Sequence, residues 1–164
     1  MAEILFGNEK PELRNLSLLV LDEDAGYRNL MISELRNVGV PTVKGAGKPE
    51  EAIEILKTYR VDAIITEWYP QFVKFIRTNP RSPVREIPIV LATNATTRED
   101  VIAARDAGIH TFCAKPISAT ELCDQILRAI QDSRPIVKHS AFTGPDRRRR
   151  DDPKFANNDR REDR

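Results

Sequence analysis

Several short apolar segments, each predicted to be a buried β-strand, are followed by a side chain that could take part in ionic chemistry. Asp22 and Glu23 follow the first such segment, and Glu67 follows the third. Thr93 ends the fourth, and Lys115 follows the fifth. Because ligands of an open parallel sheet bind beyond the carboxyl ends of its strands, we expect these acidic, hydroxyl and ammonium groups to converge at one edge. No nucleophile with an adjacent base is visible, so an enzyme is the least favoured class.

A second set of chemistry-bearing residues lies near the C-terminus. It consists of four arginines followed by two aspartates, namely Arg147, Arg148, Arg149, Arg150, Asp151 and Asp152. An arginine can donate two hydrogen bonds to guanine O6 and N7, and a carboxylate three residues later can accept from the same base. The remaining arginines could bind phosphates in a bidentate manner. Cyclic di-GMP, with two guanines and two phosphates, fits this chemistry. Composition alone favours the alternative, a solvated and charge-balanced segment without a ligand.

The pattern of apolar residues predicts strands and helices in strict alternation. Buried strands are predicted at 16–21, 42–45, 63–66, 87–93 and 111–114. Helices are predicted at 25–38, 49–59, 71–77 and 98–107, with a last one capped by Ser118. Thr97 and Ser118 stand at the starts of the last two helices, where a hydroxyl can cap the backbone. Five successive βα units predict an α/β fold with a five-stranded parallel sheet covered by helices on both faces.

Composition divides the chain into two parts. We predict one folded domain at 1–133 and an arginine-rich, largely disordered segment at 134–164, because the latter has almost no apolar periodicity. The segment carries a net charge of +4, which leaves −3 for the rest. No apolar run could span a membrane and no signal-peptide pattern begins the chain, so a cytoplasmic location is expected. Cys113 and Cys123 lack metal-ligand spacing and are expected in the core. His110 and His139 are interpreted as surface or loop residues.

Short motifs in the first part resemble the receiver domains of response regulators, of the CheY-like type. The resemblance rests on the order and spacing of residues 20–24, 61–66, 87–93, 106–108 and 112–116. It implies the flavodoxin-like five-stranded fold. It also implies that Asp22 and Glu23 hold Mg²⁺, that Thr93 and Lys115 contact a phosphoryl group, and that Phe112 acts as a conformational switch.

Two departures from the family pattern affect the expected chemistry. Glu67 stands where these domains have the aspartate that accepts phosphate. Its carboxylate is one methylene further from the backbone, and in-line phosphoryl transfer requires close placement, so we do not expect acceptance. Glu67 could instead pair with Lys115 and hold an activated-like shape, or these charges could be relics that balance one another. The loop after Glu67 is also shorter by about five residues, which argues against Mg²⁺ binding.

The C-terminal segment adds a second resemblance. A receiver domain that ends in Gly-Pro-Asp followed by four arginines is similar to the CheY-like cyclic di-GMP effectors of alphaproteobacteria. That resemblance implies a non-enzymatic signalling protein whose tail binds the dinucleotide and whose receiver binds a protein, such as a flagellar motor component. The fourth helix, fifth strand and fifth helix around Phe112 would form the protein-binding face. The alternative is a phosphorelay or scaffold module whose tail docks on an acidic protein or nucleic acid.

Overall fold

A computed structural model describes residues 13–94, 97–132 and 134–146. Its main sheet has five parallel strands in the order β2-β1-β3-β4-β5. The strands are β1 Ser17–Leu21, β2 Thr42–Ala46, β3 Ala63–Thr66, β4 Ile89–Thr93 and β5 Thr111–Ala114. The helices are α1 Ala25–Asn37, α2 Pro49–Thr58, α3 Pro70–Thr78, α4 Arg98–Ala107 and α5 Ala119–Gln131. The predicted five-stranded α/β fold is therefore confirmed.

Alternate residues of the central strands enter separate cores on the two faces of the sheet. Leu18 and Val20 of β1 pack in the core that also receives apolar residues of α1 and α5. Leu19 and Leu21 pack in the core that receives residues of α2, α3 and α4. All four are fully buried. A strand buried on both faces reads as a continuous apolar run, which explains the sequence of β1.

Side-chain caps fix the points at which three helices start. Asp24 accepts a hydrogen bond from the Tyr27 N–H at the start of α1. Thr97 and Ser118 cap α4 and α5 in the same way, as predicted. At the other end of α4, Gly108 takes a left-handed conformation with φ of +118°, which favours glycine. The caps of α1 and α5 lie within a few residues of β1 and β5, so the strand ends stay close to the helix starts.

Residues 134–146 form structure that the sequence pattern did not predict. They include an antiparallel hairpin of β6 Ile136–His139 and β7 Phe142–Pro145. The expectation of a disordered segment beginning at residue 134 is therefore wrong for these residues. Gly144, Pro145 and Asp146 are buried, and Gly144 lies against the end of α4. These residues are therefore held by tertiary contacts, which a search for periodic apolar residues does not detect. The rest of the predicted segment, 147–164, lies outside the described residues.

The two cysteines are buried and not joined by a disulfide. Burial raises the pKa of Cys113 to about 12 and that of Cys123 to about 11, so both stay protonated at neutral pH. Their predicted role as core residues is confirmed. Within the described part of the chain, no helix is long and apolar enough to cross a membrane.

A buried polar cluster lies near the amino ends of β4 and β5. Arg77 of α3 is 4% exposed, and its Nε and Nη2 donate to the Gly108 carbonyl at 3.1 and 2.8 Å. Its Nη1 donates to the Arg85 carbonyl at 2.6 Å. His110 Nδ1 accepts from the Ile89 N–H at 3.2 Å and lies 3.2 Å from Arg77 Nη2. His110 lies in the loop between α4 and β5, and His139 is exposed, so both agree with their interpretation as surface or loop residues, although His110 is partly buried and hydrogen-bonded.

Stability should fall as the pH is lowered because of His110. Burial, together with the charge of Arg77, lowers its pKa from 6.5 to about 4 in the folded protein. The unfolded chain therefore binds more protons between these values, and stability is lost as pH falls from about 6.5 towards 4, by up to about 3 kcal/mol. Urea unfolding at several pH values measures this slope. His110→Asn keeps an acceptor for the Ile89 N–H and should make the free energy of unfolding depend less on pH, whereas His139→Asn should leave that dependence unchanged. An unchanged slope in His110→Asn would contradict the assignment.

Candidate functional site at the carboxyl edge of the sheet

Lys115 is the centre of a charged cluster at the carboxyl ends of β1, β3 and β5. Its Nζ lies 2.6 Å from Asp22 Oδ2 and 3.1 Å from Glu67 Oε2. The Lys115 side chain is 7% exposed and that of Asp22 is 3% exposed. Nζ also lies 4.3 Å from the centroid of the Tyr27 ring, within range of a cation–π interaction. Three of the residues predicted to converge are therefore in direct contact.

The backbone after β1 holds Asp22 in place. The Asp22 N–H donates to the Ala46 carbonyl at the end of β2. Its Oδ1 accepts from the Asp24 N–H at 2.9 Å, and its carbonyl accepts from Arg28 Nη1 at 2.6 Å. One carboxylate oxygen is thus held by the backbone of its own turn and the other by Lys115. Both carboxylate oxygens of this buried side chain therefore have hydrogen-bond partners, as buried polar groups normally do.

Glu67 is folded back towards its own backbone. Its N–H continues the sheet by donating to the Leu21 carbonyl, and its Oε1 accepts from the Trp68 N–H at 2.9 Å. Its Oε2 is the oxygen that contacts Lys115, and the side chain is 23% exposed. The extra methylene of glutamate lets the carboxylate reach the adjacent N–H and the lysine together.

Thr93 and Phe112 lie on the adjacent strands β4 and β5, two positions apart in register. Thr93 is 2% exposed and pairs in register with Ala114, and its carbonyl accepts from the Lys115 N–H at 3.0 Å. Phe112 pairs in register with Leu91. Its ring is half-buried and packs against the core shared with α2, α3 and α4. Both residues lie on the strands predicted to carry them.

The electrostatics of the site favour a charged lysine. Burial disfavours the ammonium form, but hydrogen bonds to Asp22 and Glu67 outweigh burial and raise the pKa of Lys115. A single ammonium group therefore neutralises part of a region that holds three carboxylates, including the exposed Glu23.

Sequence reasoning missed Tyr69. Its hydroxyl accepts a hydrogen bond from the Glu23 N–H at 3.2 Å. Partial burial and the negative charges of Glu23, Asp22 and Glu67 raise the pKa of this hydroxyl. The loop that joins β3 to α3 contains only Glu67, Trp68 and Tyr69, so its shortness was the signal that these side chains stay beside the strand ends.

Asp22, one of the two residues predicted to hold Mg²⁺, is already engaged in other contacts. Mg²⁺ needs oxygen ligands in near-ideal octahedral geometry and is usually bound through one or two carboxylates together with several waters. Asp22 directs one oxygen to a backbone N–H and the other to Lys115. Within 13–94, 97–132 and 134–146, no three His, Cys, Asp or Glu side chains are arranged to hold a metal ion.

The arginine-rich residues predicted to bind a dinucleotide lie outside the described residues. These are Arg147, Arg148, Arg149, Arg150, Asp151 and Asp152. The last described residue is Asp146, which is 4% exposed. The first arginine of the cluster therefore follows directly on a buried position.

A family model described as the response regulator receiver domain matches residues 18–127. The chain is 24% identical to chemotaxis protein CheY-3 of Vibrio cholerae over 119 residues, which cover 69% of this chain and 90% of that protein. It is 30% identical to the transcriptional regulatory protein PdtaR of Mycobacterium tuberculosis over 126 residues. That alignment covers 73% of this chain but only 59% of PdtaR.

Solved structures agree on the fold. CheY4 of Vibrio cholerae superposes with a TM-score of 0.63 at 23% identity, covering 70% of this chain and 98% of that one. A receiver domain of a Pseudomonas aeruginosa sensor histidine kinase, solved with a magnesium ion in its active-site cleft, gives a TM-score of 0.62 at 21% identity. It covers 70% of this chain and 97% of that chain. These similarities extend over the five βα units and establish the architecture.

Proposed function

Since the chain belongs to the response regulator receiver domain family, we propose that it is a cyclic di-GMP effector that signals without accepting phosphate. It is a receiver-domain signalling protein. In the proposal, residues 147–152 bind the dinucleotide and the receiver presents a surface to a protein partner. A flagellar motor component is one such partner, because chemotaxis proteins are among the relatives.

The contact of Lys115 with both Asp22 and Glu67 is the observation that carries the proposal. Within the receiver family this lysine is the group expected to contact a phosphoryl group. Here it is already bound to two carboxylates, one of them at the position of the expected acceptor. A carboxylate engaged by the Trp68 N–H and by Lys115 is poorly placed for in-line attack on a phosphoryl donor. This supports an input other than phosphorylation.

The tail offers the chemistry for that input. Arg148 and Asp151, like Arg149 and Asp152, have the spacing at which an arginine and a carboxylate could bind two edges of one guanine. Arginines not used for bases could pair with phosphates through two parallel hydrogen bonds. A symmetric ligand with two guanines and two phosphates would use all of these groups.

Replacing two central arginines should abolish dinucleotide binding. We expect the variant with Arg148→Ala and Arg149→Ala to bind cyclic di-GMP at least about 100-fold more weakly, because it loses two bidentate donors. Isothermal titration of the full-length protein measures this effect. A matched control with Arg81→Ala and Arg85→Ala removes the same charge from exposed receiver positions and should bind normally. Unchanged affinity in the tail variant would overturn the proposal.

Two further titrations separate guanine recognition from docking on a polyanion. Cyclic di-AMP carries the same phosphates, so a guanine-specific site should reject it. Binding to an acidic protein or nucleic acid would weaken steeply with salt and be indifferent to base identity. Equal affinity for the two dinucleotides would favour the scaffold alternative.

Trp68 provides a direct test of the phosphate site. It is the only tryptophan of the chain, and its backbone N–H donates a hydrogen bond to Glu67 Oε1. We expect Mg²⁺ at up to about 10 mM, with or without beryllofluoride, to leave its emission unchanged, because Lys115 already engages Asp22 and Glu67. Unfolding in guanidinium should shift the emission and serves as the positive control. A saturable change on adding Mg²⁺ would instead support phosphorelay function.

A further inference from the structure

The exposed charges of the receiver are separated between the two edges of the main sheet. We define the amino edge as the loops that lead into the five strands, the last four residues of each of the five helices, and the described residues after α5. Among the described residues of this edge, ten basic side chains are exposed, but Glu86 is the single exposed acid. The amino edge is therefore a positively charged surface.

The carboxyl edge has the reverse composition. It consists of the loops that follow the strands and the first four residues of each helix. Where the structure describes these segments, six acidic side chains are exposed, and Lys48 and Arg98 are the only exposed basic residues. The receiver thus presents a positive end and a negative end, and such a field orients a protein in front of a charged partner.

Helix dipoles account for only part of the positive charge at the amino edge. Four of the ten basic residues lie in the last turns of α1, α2, α4 and α5, where the partial negative charge of the helix end favours a cation. The other six lie in loops or on the hairpin, namely Arg14, Arg60, Arg81, Arg85, Arg134 and Lys138. Of these six, only Arg60 and Arg134 pair with a carboxylate in the described part of the chain, at 3.3 and 2.6 Å.

The basic residues of the amino edge are spread over a broad area. Strand spacing makes the edge of a five-stranded sheet about 20 Å wide, and helices on both faces make it about 30 Å deep. The structure is packed beneath it, because Arg77 donates to the carbonyls of Arg85 and Gly108 and Gly144 lies against the end of α4. The exposed charges therefore stand on a rigid surface that extends in two dimensions.

Two exposed apolar side chains lie among these charges. Val38, which ends α1, is 38% exposed, and Tyr59, which ends α2, is 50% exposed. The neighbouring Arg60 side chain is 86% exposed, and Lys44 Nζ lies 3.7 Å from the centroid of the Tyr59 ring. Tyrosine is enriched where proteins meet the membrane–water boundary, and clustered basic residues are attracted to anionic headgroups.

We propose that the amino edge docks on a membrane surface that contains anionic lipids. A nucleic acid strand presents its phosphates along a line, whereas these basic residues are spread over both helical layers of the protein, as a planar partner requires. Arginine predominates among them, and its guanidinium can bind a phosphate through two parallel hydrogen bonds. Docking by this edge directs the acidic carboxyl edge, with Lys115, away from the membrane. The inference goes beyond the proposed function and does not depend on it.

Flotation of the full-length protein with lipid vesicles tests the proposal, without cyclic di-GMP in the sample. We expect binding to phosphatidylcholine vesicles that contain about 30% phosphatidylserine, and none to pure phosphatidylcholine. Each basic residue near an anionic surface strengthens binding about fivefold, so Arg81→Ala with Arg85→Ala should weaken it by about 25-fold. The matched control, Lys48→Ala with Arg98→Ala, removes the same charge from the carboxyl edge and should bind as wild type does.

Three results would overturn the proposal. The first is that the wild-type protein does not bind the anionic vesicles, and the second is that the two double variants lose affinity equally, as a net-charge effect would require. The third is that poly-uridine RNA binds the amino edge more tightly than the vesicles do, which would assign this surface to nucleic acid. Arg148→Ala with Arg149→Ala should retain most vesicle binding; if it alone abolished binding, the amino edge would not be the docking surface. Circular dichroism checks that every variant is folded, and the cyclic di-GMP titrations test the proposed function separately.

Discussion

Replacing Arg77 with leucine should lower the free energy of unfolding by about 3–5 kcal/mol, the largest effect that we expect of a single substitution outside the apolar core. Two carbonyls, the buried one of Gly108 and the partly buried one of Arg85, lose charged donors in this variant. Burial lowers the pKa of Arg77 to about 10, so the side chain is charged at neutral pH and its hydrogen bonds are of the stronger, charge-assisted kind. Urea unfolding followed by circular dichroism measures the loss.

Two companion variants define what the Arg77 result means. Arg81→Leu makes the same chemical change at an exposed position and should alter stability by no more than about 0.5 kcal/mol. Arg77→Lys keeps the charge but cannot donate through a planar fork, so it should be intermediate. A loss below about 1 kcal/mol in Arg77→Leu would show that the carbonyls find water or other donors.

Replacing Lys115 with methionine should destabilise the protein by about 2–4 kcal/mol at pH 7, because it leaves Asp22 buried without a counter-charge. Methionine preserves most of the apolar stem that lies near Tyr27. Asp22 and Glu67 would then lie close together with no cation between them, and their repulsion adds to the loss. Urea unfolding at pH 7 measures the loss.

The control for this experiment uses an exposed ion pair. Lys57→Met removes the partner of Glu54 on α2, where both side chains are at least half exposed. Such pairs contribute little, so a change within about 0.5 kcal/mol is expected. If Lys115→Met changed the free energy of unfolding as little as Lys57→Met does, Asp22 would be solvated and would not depend on Lys115 for its counter-charge.

The five βα units could be predicted from sequence because their signals are local. Helix α4 was predicted at 98–107, where it is found, since Thr97 caps its start and Gly108 ends it. Strand β1 was visible as an apolar run because both its faces are covered. In each case, neighbouring residues contain the information that fixes the element.

The hairpin and Arg77 escaped prediction because their partners are distant in sequence. Gly144 is buried against residues more than thirty positions earlier, and nothing around it is periodic or strongly apolar. An arginine on a helix ordinarily indicates a solvated face. Only the fold reveals that Arg77 points at the Gly108 carbonyl.

The candidate site was predictable to the level of the strand ends. The carboxyl ends of parallel strands meet at one edge, and that rule alone brings Asp22, Glu67 and Lys115 together. The rule does not give hydrogen-bond partners. The contacts of Tyr69 with the Glu23 N–H, and of Tyr27 with Lys115, depend on loop shape and side-chain direction, which residue spacing does not encode.

The position of Glu67 between Lys115 and the Trp68 N–H also bears on how long a signal lasts. A receiver that carries a phosphoryl group is switched off when the acyl phosphate bond is hydrolysed, so the rate of hydrolysis sets how long the activated state lasts. Under the proposed function there is no such bond to break. The duration of each response would equal the residence time of the dinucleotide, and the protein would follow the ligand concentration in the cell with no memory of its own.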